Sequence, residues 1–286
     1  MILSGISLLS VSLNVFQPYI VNAQNSGTIQ IQNQSISNKI TIVKILSDSL
    51  AHSLNGSAAL LKVTSTLPEV ANAKYVDKMN STLRGIADDV DVEKRKIASA
   101  ILKADDDFTS ISFILPNGDM YMQEPYWRQL NLSQGNYAFR EYFKGAVETR
   151  DAFLADVIES KATGKRQANI AVPIYSNQNS SLVGVWMGPL DFNVFDRSLQ
   201  SLYPSDTGRI VYVDSKGQKI SDSNTHLSKI PEKFTNLESF REASSGKTGH
   251  NFEVVNGTNM LIAYSPVKIL SNTWTVLLME PESQIQ

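Results

Sequence analysis

The stretch that decides the fold lies in the middle of the chain, where residues 140–174 read REYFKGAVETRDAFLADVIESKATGKRQANIAVPI. It contains, in order, a helix start, a short strand, a turn and a second strand. These parts lie at 140–143, 155–157, 160–165 and 171–174. Such a mixture of short helical and β-forming segments, punctuated by Gly and Ser, predicts an α+β fold.

The sequence around this stretch occurs twice in related form. Each copy has an apolar strand that ends in a Gly turn, a helix that contains Phe-Arg-Glu, a strand with a central proline and an apolar closing strand. The paired segments are ISFILPNG at 111–118 and IVYVDSKG at 210–217, the helices from Phe139 and Phe240, AVPI at 171–174 and YSPV at 264–267, and the strands at 182–188 and 274–280. Four matches in the same order indicate a duplication within the chain.

Helical periodicity precedes the first copy. Between residues 29 and 67, apolar residues recur at spacings of three and four, which predicts one long amphipathic helix. A second helical stretch is predicted at 74–103. Shorter helices are predicted at 191–202 and 234–243. We therefore expect an α+β chain in which a long N-terminal helix is followed by two tandem PAS-like modules, each an antiparallel sheet with flanking helices.

With these motifs in place, the chain resembles the double Cache (dCache) family of extracellular sensor domains. The resemblance covers roughly residues 28–282 and rests on the long first helix, the strand and turn at 111–118, and above all the stretch 140–174. It implies a small-molecule sensing region that lies outside the cytoplasm.

The expected organisation has four parts. Residues 1–27 form a signal peptide or membrane anchor, and residues 28–106 form a helical segment. Residues 107–203 form a membrane-distal module that binds the ligand, and residues 204–286 form a membrane-proximal module that couples it to the output.

The export signal is read from the first 23 residues, which are mostly apolar, and the first charged residue is Lys39. Small residues end the run, as a signal peptidase requires, while its length also suits a membrane anchor. A buried core helix is the remaining alternative. Either export interpretation places the chain from Gln24 onward outside the cytoplasm, at the outer face of the cell membrane.

Composition argues against several other functions. The 286-residue chain has a formal net charge of −2, which gives no basic surface for a nucleic acid. It has no cysteine and only three histidines, and these are far apart in the sequence. We therefore expect no metal, no cofactor and no enzymatic activity; an extracytoplasmic hydrolase would need a nucleophile–base pair that the three histidines do not supply.

Arg140 is the first candidate for ligand binding, with Tyr142 and Phe143 beside it. A guanidinium group grips a carboxylate through two parallel hydrogen bonds, and aromatic rings supply the walls of a pocket. The family resemblance implies the same role for an arginine and aromatic residues in this place. The alternative is a surface ion pair between Arg140 and Glu141 or Glu148.

Further candidates lie on both sides of this helix. Asp156 is placed to face an ammonium group, or alternatively to cap a turn. Aromatic residues between the first strand and the helix are candidate lid residues, or alternatively core residues. They are Tyr121, Tyr126, Trp127 and Tyr137.

One departure from the family concerns the ligand. Family members that bind amino acids carry an acidic residue in the closing strand of the distal module, where this chain has Pro189. Without that carboxylate the ammonium group of an amino acid has no partner, which argues against a free amino acid. A carboxylate, an amine held by Asp156 or another small metabolite remains. Arg241 stands in the corresponding place of the second copy without an aromatic pair, so we expect that module to be structural.

Taken together, the sequence predicts the small-molecule sensing domain of a transmembrane signal-transduction receptor of the histidine kinase or chemoreceptor type. The membrane is reached through the N-terminal segment, and the long helix suits a parallel homodimer. A secreted or surface-anchored binding protein without signalling output is the alternative.

Overall fold

The longest element is α1 (Leu13–Ser65), which confirms the predicted long helix. The computed structural model describes residues 13–160, 164–176, 178–203 and 208–285, with side chains described from residue 30 onward. The first part of the predicted export segment, residues 1–12, therefore lies outside the described residues. Across the described ranges, no helix has both the length and the apolarity needed to cross a bilayer.

One face of α1 packs on both sheets. Its buried side chains recur every three or four residues, as expected for an amphipathic helix on an apolar surface. They are Val43, Leu46, Leu50, Leu54, Ala58 and Leu61. They contact strands from both halves of the chain, so that a single helix forms one wall of a shared core.

The second predicted helix is only partly correct. The helix α2 spans Val92–Ala104, while the segment before it is irregular apart from one short 3₁₀ turn. The reason lies at Gly85, which has a φ of 146° and lies against the main chain of Tyr121; an added Cβ would sit 2.5 Å from the Tyr121 carbonyl oxygen. Ile86 N–H donates to that same oxygen at 2.9 Å. The segment is thus fixed to a strand and is not free to coil into a helix.

The first module is built on a five-stranded antiparallel sheet. Its strands are β1 (Ile111–Ile114), β2 (Met120–Glu124), β3 (Phe153–Leu154), β6 (Asn169–Tyr175) and β7 (Leu182–Pro189). They lie in the order β2-β1-β7-β6-β3. Two helices, α3 (Tyr126–Leu130) and α4 (Glu141–Thr149), connect β2 to β3. A separate hairpin, β4 (Ile158–Glu159) with β5 (Arg166–Gln167), connects β3 to β6.

The second module repeats this arrangement. After α5 (Phe192–Leu202), its elements are β8 (Arg209–Val213), β9 (Lys219–Asp222), α6 (Glu238–Ser244), β10 (Gly249–Val255), β11 (Thr258–Ile269) and β12 (Asn272–Pro281). Its sheet runs β10-β11-β12-β8-β9, which is the order of the first sheet read from the other edge. This confirms the α+β class with two tandem PAS-like modules.

The duplication extends to individual hydrogen bonds. Gly118 and Gly217 both have a positive φ at the end of the first turn of their module. The carbonyl of Gly118 accepts from Tyr137 N–H at 2.7 Å, and that of Gly217 accepts from Phe234 N–H at 2.8 Å. These bonds define which residues of the two modules correspond.

The same bonds correct one sequence alignment. Arg140 N–H donates to the Tyr137 carbonyl at 3.0 Å, and in the second module Leu237 N–H donates to the Phe234 carbonyl at 3.0 Å. The counterpart of Arg140 is therefore Leu237. Arg241 lies one helical turn further on, where it forms an exposed ion pair with Glu238. The shared Phe-Arg-Glu motif misled the alignment because the two connecting segments differ in length.

Close packing in the first module yields a stability prediction at Gly145. A Cβ on this residue would lie 2.5 Å from the Phe153 ring, so Gly145→Ala is expected to lower the free energy of unfolding by about 1–3 kcal/mol through overpacking. Gly56 in α1 has no atom within 4 Å of its ideal Cβ and is the matched control; Gly56→Ala is expected to raise stability by up to about 1 kcal/mol. Urea denaturation of both variants checks the prediction, and equal effects would contradict it.

Candidate functional site

The first module contains a cavity of about 70 Å³ between its sheet and the segments laid across it. The floor is formed by the start of β1, by β2 and by β7. The walls come from α3, from the start of α4 and from the β4–β5 hairpin. A single water needs roughly 10–15 Å³, so the cavity has room for a ligand of a few heavy atoms.

Arg140 lies in the wall of this cavity, as does Tyr142, two residues along the chain. Arg140 is the N-cap residue of α4, where its backbone is extended. Its guanidinium carbon lies 4.9 Å from the centre of the Phe139 ring, and it forms no ion pair with any described residue. Glu141, the alternative partner, instead binds Lys216 at 2.8 Å. The arginine is thus partly buried and available to a ligand.

Two tyrosines and a tryptophan accompany Arg140 in the cavity wall. Tyr137 and Tyr142 are buried, whereas Trp127 is 57% exposed at the rim. Burial raises the pKa of Tyr137 to about 12, against the opposing effect of the Arg140 charge, and burial also raises the pKa of Tyr142. Both phenols therefore stay neutral at physiological pH and offer O–H groups, and the Tyr137 hydroxyl donates to the Gln134 carbonyl at 3.1 Å.

Arg128 of α3 also lines the cavity and was missed in the sequence. Its Nε is buried and has no hydrogen-bond partner among the described residues. Burial lowers the pKa of its guanidinium, and the charge of Asp191 opposes this shift. An arginine remains charged even so, because its normal pKa lies far above neutrality. The neighbouring Trp127, which was predicted, is the only sequence signal that could have pointed to it.

The polar character of the cavity is therefore cationic. Its described lining includes Arg128 and Arg140 but no carboxylate. Pro189, where the family resemblance leads one to expect an acidic residue in proteins that bind amino acids, lies in the lining itself. Asp191, two residues later, caps α5 by accepting from Asn193 N–H at 3.0 Å. Gln123 Oε1 is a further buried atom without a hydrogen-bond partner in the described part of the chain.

Three of the predicted aromatic residues do not line this cavity. Phe143 packs in the core beneath α4. Tyr121 points to the opposite face of the sheet, where its hydroxyl donates to Asp91 at 2.8 Å. Tyr126 lies under Arg95, whose guanidinium carbon is 5.1 Å from the ring centre. These residues support the site from behind.

Asp156 also lies away from the cavity. Its carboxylate accepts from the hydroxyl of Ser215 at 2.8 Å and lies 3.3 Å from Lys216 Nζ. Both partners belong to the second module. The acid is buried at the boundary of the two modules, so we leave it out of the candidate ligand site.

The corresponding space in the second module is filled by charged side chains. Three residues of the cavity floor are Ser110, Met120 and Gln123. The shift in numbering that relates Gly118 to Gly217 also relates these three to Arg209, Lys219 and Asp222, and the strand registers of the two modules agree with it. The latter three join Glu232 in a buried ion network. Its N–O distances are 2.9 Å for Arg209–Asp222, 2.9 Å for Arg209–Glu232, 3.3 Å for Lys219–Asp222 and 2.7 Å for Lys219–Glu232.

The described residues contain no cluster of three or more His, Cys, Asp or Glu side chains arranged to hold a metal ion.

Comparison with known sequences identifies one family. A sequence model of the Cache domain, dCache_1, matches residues 27–286. No curated protein matches the sequence significantly.

Solved structures resemble the chain over most of its length. The ligand-binding domain of the Pseudomonas fluorescens chemoreceptor CtaA, in complex with L-isoleucine, has a TM-score of 0.59 at 16% identity and covers 92% of this chain and 97% of its own. The periplasmic sensory domain of the Campylobacter jejuni chemoreceptor Tlp1 has a TM-score of 0.63 at 16% identity, and the match covers 89% of this chain and 98% of that domain. The ligand-binding domain of the Pseudomonas aeruginosa amino acid chemoreceptor PctC, in complex with GABA, has a TM-score of 0.55 at 16% identity and covers 84% and 96%. At these identities the likeness concerns the fold.

Proposed function

Because the chain belongs to the Cache domain family of sensory ligand-binding domains, we propose that it is the extracytoplasmic sensing region of a transmembrane signal-transduction receptor, and that its first module binds a small organic acid. The receptor would be of the chemoreceptor or histidine kinase type. In this arrangement the first module is the membrane-distal one and the second is membrane-proximal.

The proposal rests on the composition of the cavity wall. The described lining includes two guanidinium groups, those of Arg128 and Arg140, and no carboxylate. A ligand carboxylate would accept two parallel hydrogen bonds from Arg140, and the unpartnered Nε of Arg128 would donate to a second oxygen. Hydrogen bonds between charged groups are the strong ones, and partial burial reduces their screening by water.

The same lining disfavours an α-amino acid. The relatives are reported with L-isoleucine and with GABA, both of which carry an ammonium group. In this chain Pro189 lines the cavity, and the carboxylate of Asp156 is engaged with Ser215. A buried ammonium group without a partner costs several kcal/mol, so the ligand that fits is a monocarboxylate or dicarboxylate without an amine.

The second module has no counterpart of the candidate site among its described residues, which supports ligand binding in the first module alone. The counterpart of Arg140 is Leu237, and the counterpart of the cavity floor is an ion network of four charged side chains. A ligand could enter this space only if the ion pairs of the network were broken. Breaking them would leave buried charges unpaired, which costs several kcal/mol.

The proposal includes attachment to the membrane through the N-terminal segment, followed by α1. The outer face of α1 exposes Ile42, Ile45 and Val63, which suits a parallel homodimer. A secreted binding protein would use the same cavity, so it differs from the proposal only in the absence of an output domain.

A thermal-shift and calorimetry panel tests the ligand class. Acetate, lactate, succinate and malate are compared with isoleucine, asparagine and GABA, with sodium chloride at equal ionic strength as control. At least one organic acid is expected to raise the melting temperature, because a ligand at 100 times its Kd adds about 2.7 kcal/mol to the stability of the folded state. Stabilisation by an amino acid, with none by the acids, would refute the proposed ligand class.

A further inference from the structure

The β4–β5 hairpin has two faces that meet different spaces. In its register, Ile158 lies opposite Gln167 and Glu159 lies opposite Arg166. Because directly opposed residues of an antiparallel pair share a face, one pair faces each side. Ile158 and Gln167 line the ligand cavity, while Glu159 and Arg166 line a groove of about 680 Å³ that Gln167 also borders. The other wall of this groove includes Ile220 of the second module.

The irregular segment at 155–157, which leads into this hairpin, is bound to the second module through two carboxylates, one from each module. Asp156 of the first module accepts from the Ser215 hydroxyl at 2.8 Å. Asp214 of the second module accepts from Val157 N–H at 2.9 Å. Gln218 also donates to the Val157 carbonyl at 3.2 Å. Both carboxylates are buried, and Ile158 of the cavity wall is the next residue after Val157.

Two further contacts reach the same region. Lys216 Nζ lies 2.8 Å from Glu141, which directly follows Arg140 at the start of α4. Asn272, at the start of β12, donates to the Leu154 carbonyl at 3.1 Å and to Asp156 at 3.3 Å. The turn at 214–218 therefore holds the two cavity-wall segments that carry Arg140 and Ile158, and Asn272 ties the same place to the long strand β12.

We propose that the turn at 214–218, together with Asn272, forms a coupling junction that positions the ligand-cavity wall and transmits its displacement to the sheet of the second module. As a route for ligand signals this rests on the proposed function, because a ligand held by Arg140 would press on both segments that the junction binds. Coupling of this kind is reciprocal, so weakening the junction also changes ligand affinity.

The contacts suit this role because they join two packed cores through hydrogen bonds. The turn is rigid: Asp214 also accepts from Lys216 N–H at 3.0 Å and from Gln218 N–H, which closes the loop on itself. A rigid turn displaced by a neighbouring segment moves as a unit, and β8 and β9 on either side of it belong to the second sheet. Spatial continuity alone does not establish coupling, so the test measures coupling directly.

The chain has three tryptophans that make suitable reporters after labelling with 5-fluorotryptophan. Trp127 lies at the cavity, Trp186 in the first sheet and Trp274 in the second sheet, two residues after Asn272. The junction variant is Ser215→Ala/Lys216→Met. The control variant is Ser245→Ala/Lys247→Met, which removes an exposed serine and lysine that contact Glu242 in the second module away from the junction.

The first arm uses no ligand. Ile158→Ala alters the cavity wall, and the Trp274 ¹⁹F resonance is expected to move by more than its line width in the wild-type and control backgrounds. It is expected to move clearly less in the junction variant, which loses the Ser215 and Lys216 contacts but keeps those of Asn272. A Trp274 resonance that ignores Ile158→Ala in the wild-type background, or that moves equally in all three, would overturn the proposal.

The second arm titrates succinate. Succinate is expected to shift Trp127 in all three backgrounds, and to shift Trp274 clearly less in the junction variant than in the wild type and control. A shift of Trp127 that leaves wild-type Trp274 unchanged overturns the junction. If Trp127 itself does not respond, succinate does not bind in this cavity, and the first arm decides the junction independently.

Discussion

Replacement of Arg140 by alanine is expected to lower the affinity for the organic acid by about 30-fold or more. Removing one partner of a buried, hydrogen-bonded charge pair costs about 2–5 kcal/mol, because the other charge is left without compensation. Arg140 forms no ion pair within the described residues, so its removal leaves no protein charge unpaired. The melting temperature of the ligand-free protein is therefore expected to stay within a few degrees of wild type.

The matched control lies on the same helix. Arg150 follows the end of α4, and its guanidinium stacks 4.4 Å from the ring centre of Tyr175. Arg150→Ala should leave affinity unchanged, while Arg140→Lys should fall between alanine and wild type because it keeps the charge and loses the planar fork. Isothermal titration with the most stabilising acid of the panel measures all three variants. Equal affinities for Arg140→Ala and Arg150→Ala would remove Arg140 from the site.

The architecture was predictable because its signals are local and occur twice. An apolar strand that ends in a turn with glycine is recognisable at Gly118 and again at Gly217, and both glycines have the positive φ that favours this residue. The prediction of a helix at 74–103 was wrong in its first half, because the contact that prevents the helix is made with a residue far along the chain. Gly85 must fit against the main chain of Tyr121, a contact made only in the folded protein.

The position of a candidate site residue could be predicted at the start of a helix. It could not be predicted where it depends on which way the side chain of an extended segment points. Arg140 and Tyr142 line the cavity together. Asp156 lies in the irregular segment after β3, and Ile158 begins β4; only Ile158 reaches the cavity, while Asp156 contacts Ser215. In a regular strand, residues two apart share a face, so the irregular backbone at 155–157 is what separates these two side chains, and sequence alone does not predict it.

Arg128 illustrates a different limit. It lies on a helix of five residues, which is too short to show a periodic pattern. What makes it a candidate is its place in the cavity lining and the burial of its Nε, both of which arise from the packing of α3 over the sheet. The same packing depends on a second buried arginine.

Arg95 of α2 is that arginine, and Arg95→Met is expected to lower the free energy of unfolding by about 3–5 kcal/mol. Its guanidinium donates to Glu124 at 2.6 Å, to the carbonyls of Ile86 and Ala87 at 3.0 and 3.1 Å, and to Gln129 at 3.2 Å. Methionine fills much of the volume but leaves the nearly buried Glu124 carboxylate without its cation. This would be a large fraction of a typical stability of 5–15 kcal/mol.

The neighbouring Lys96 supplies the control. It pairs with Glu93 at 2.8 Å, but both side chains are about two-thirds exposed, so Lys96→Met is expected to change stability by less than about 1 kcal/mol. Urea denaturation of the two single variants compares a buried and an exposed cation one residue apart on the same helix. Similar losses would show that Arg95 contributes no more than a surface ion pair.

Arg95→Lys separates charge from geometry. A lysine can pair with Glu124 but cannot also reach the Ile86 and Gln129 oxygens, since its three donors lie on one nitrogen. Glu124 and Gln129 lie on either side of the segment that carries Trp127 and Arg128. Arg95→Lys is therefore expected to weaken organic-acid binding more than its loss of stability at 25 °C accounts for, because α3 loses the contacts that fix Arg128 over the cavity. If the folded Arg95→Lys variant binds with wild-type affinity, Arg95 stabilises the module without positioning the site.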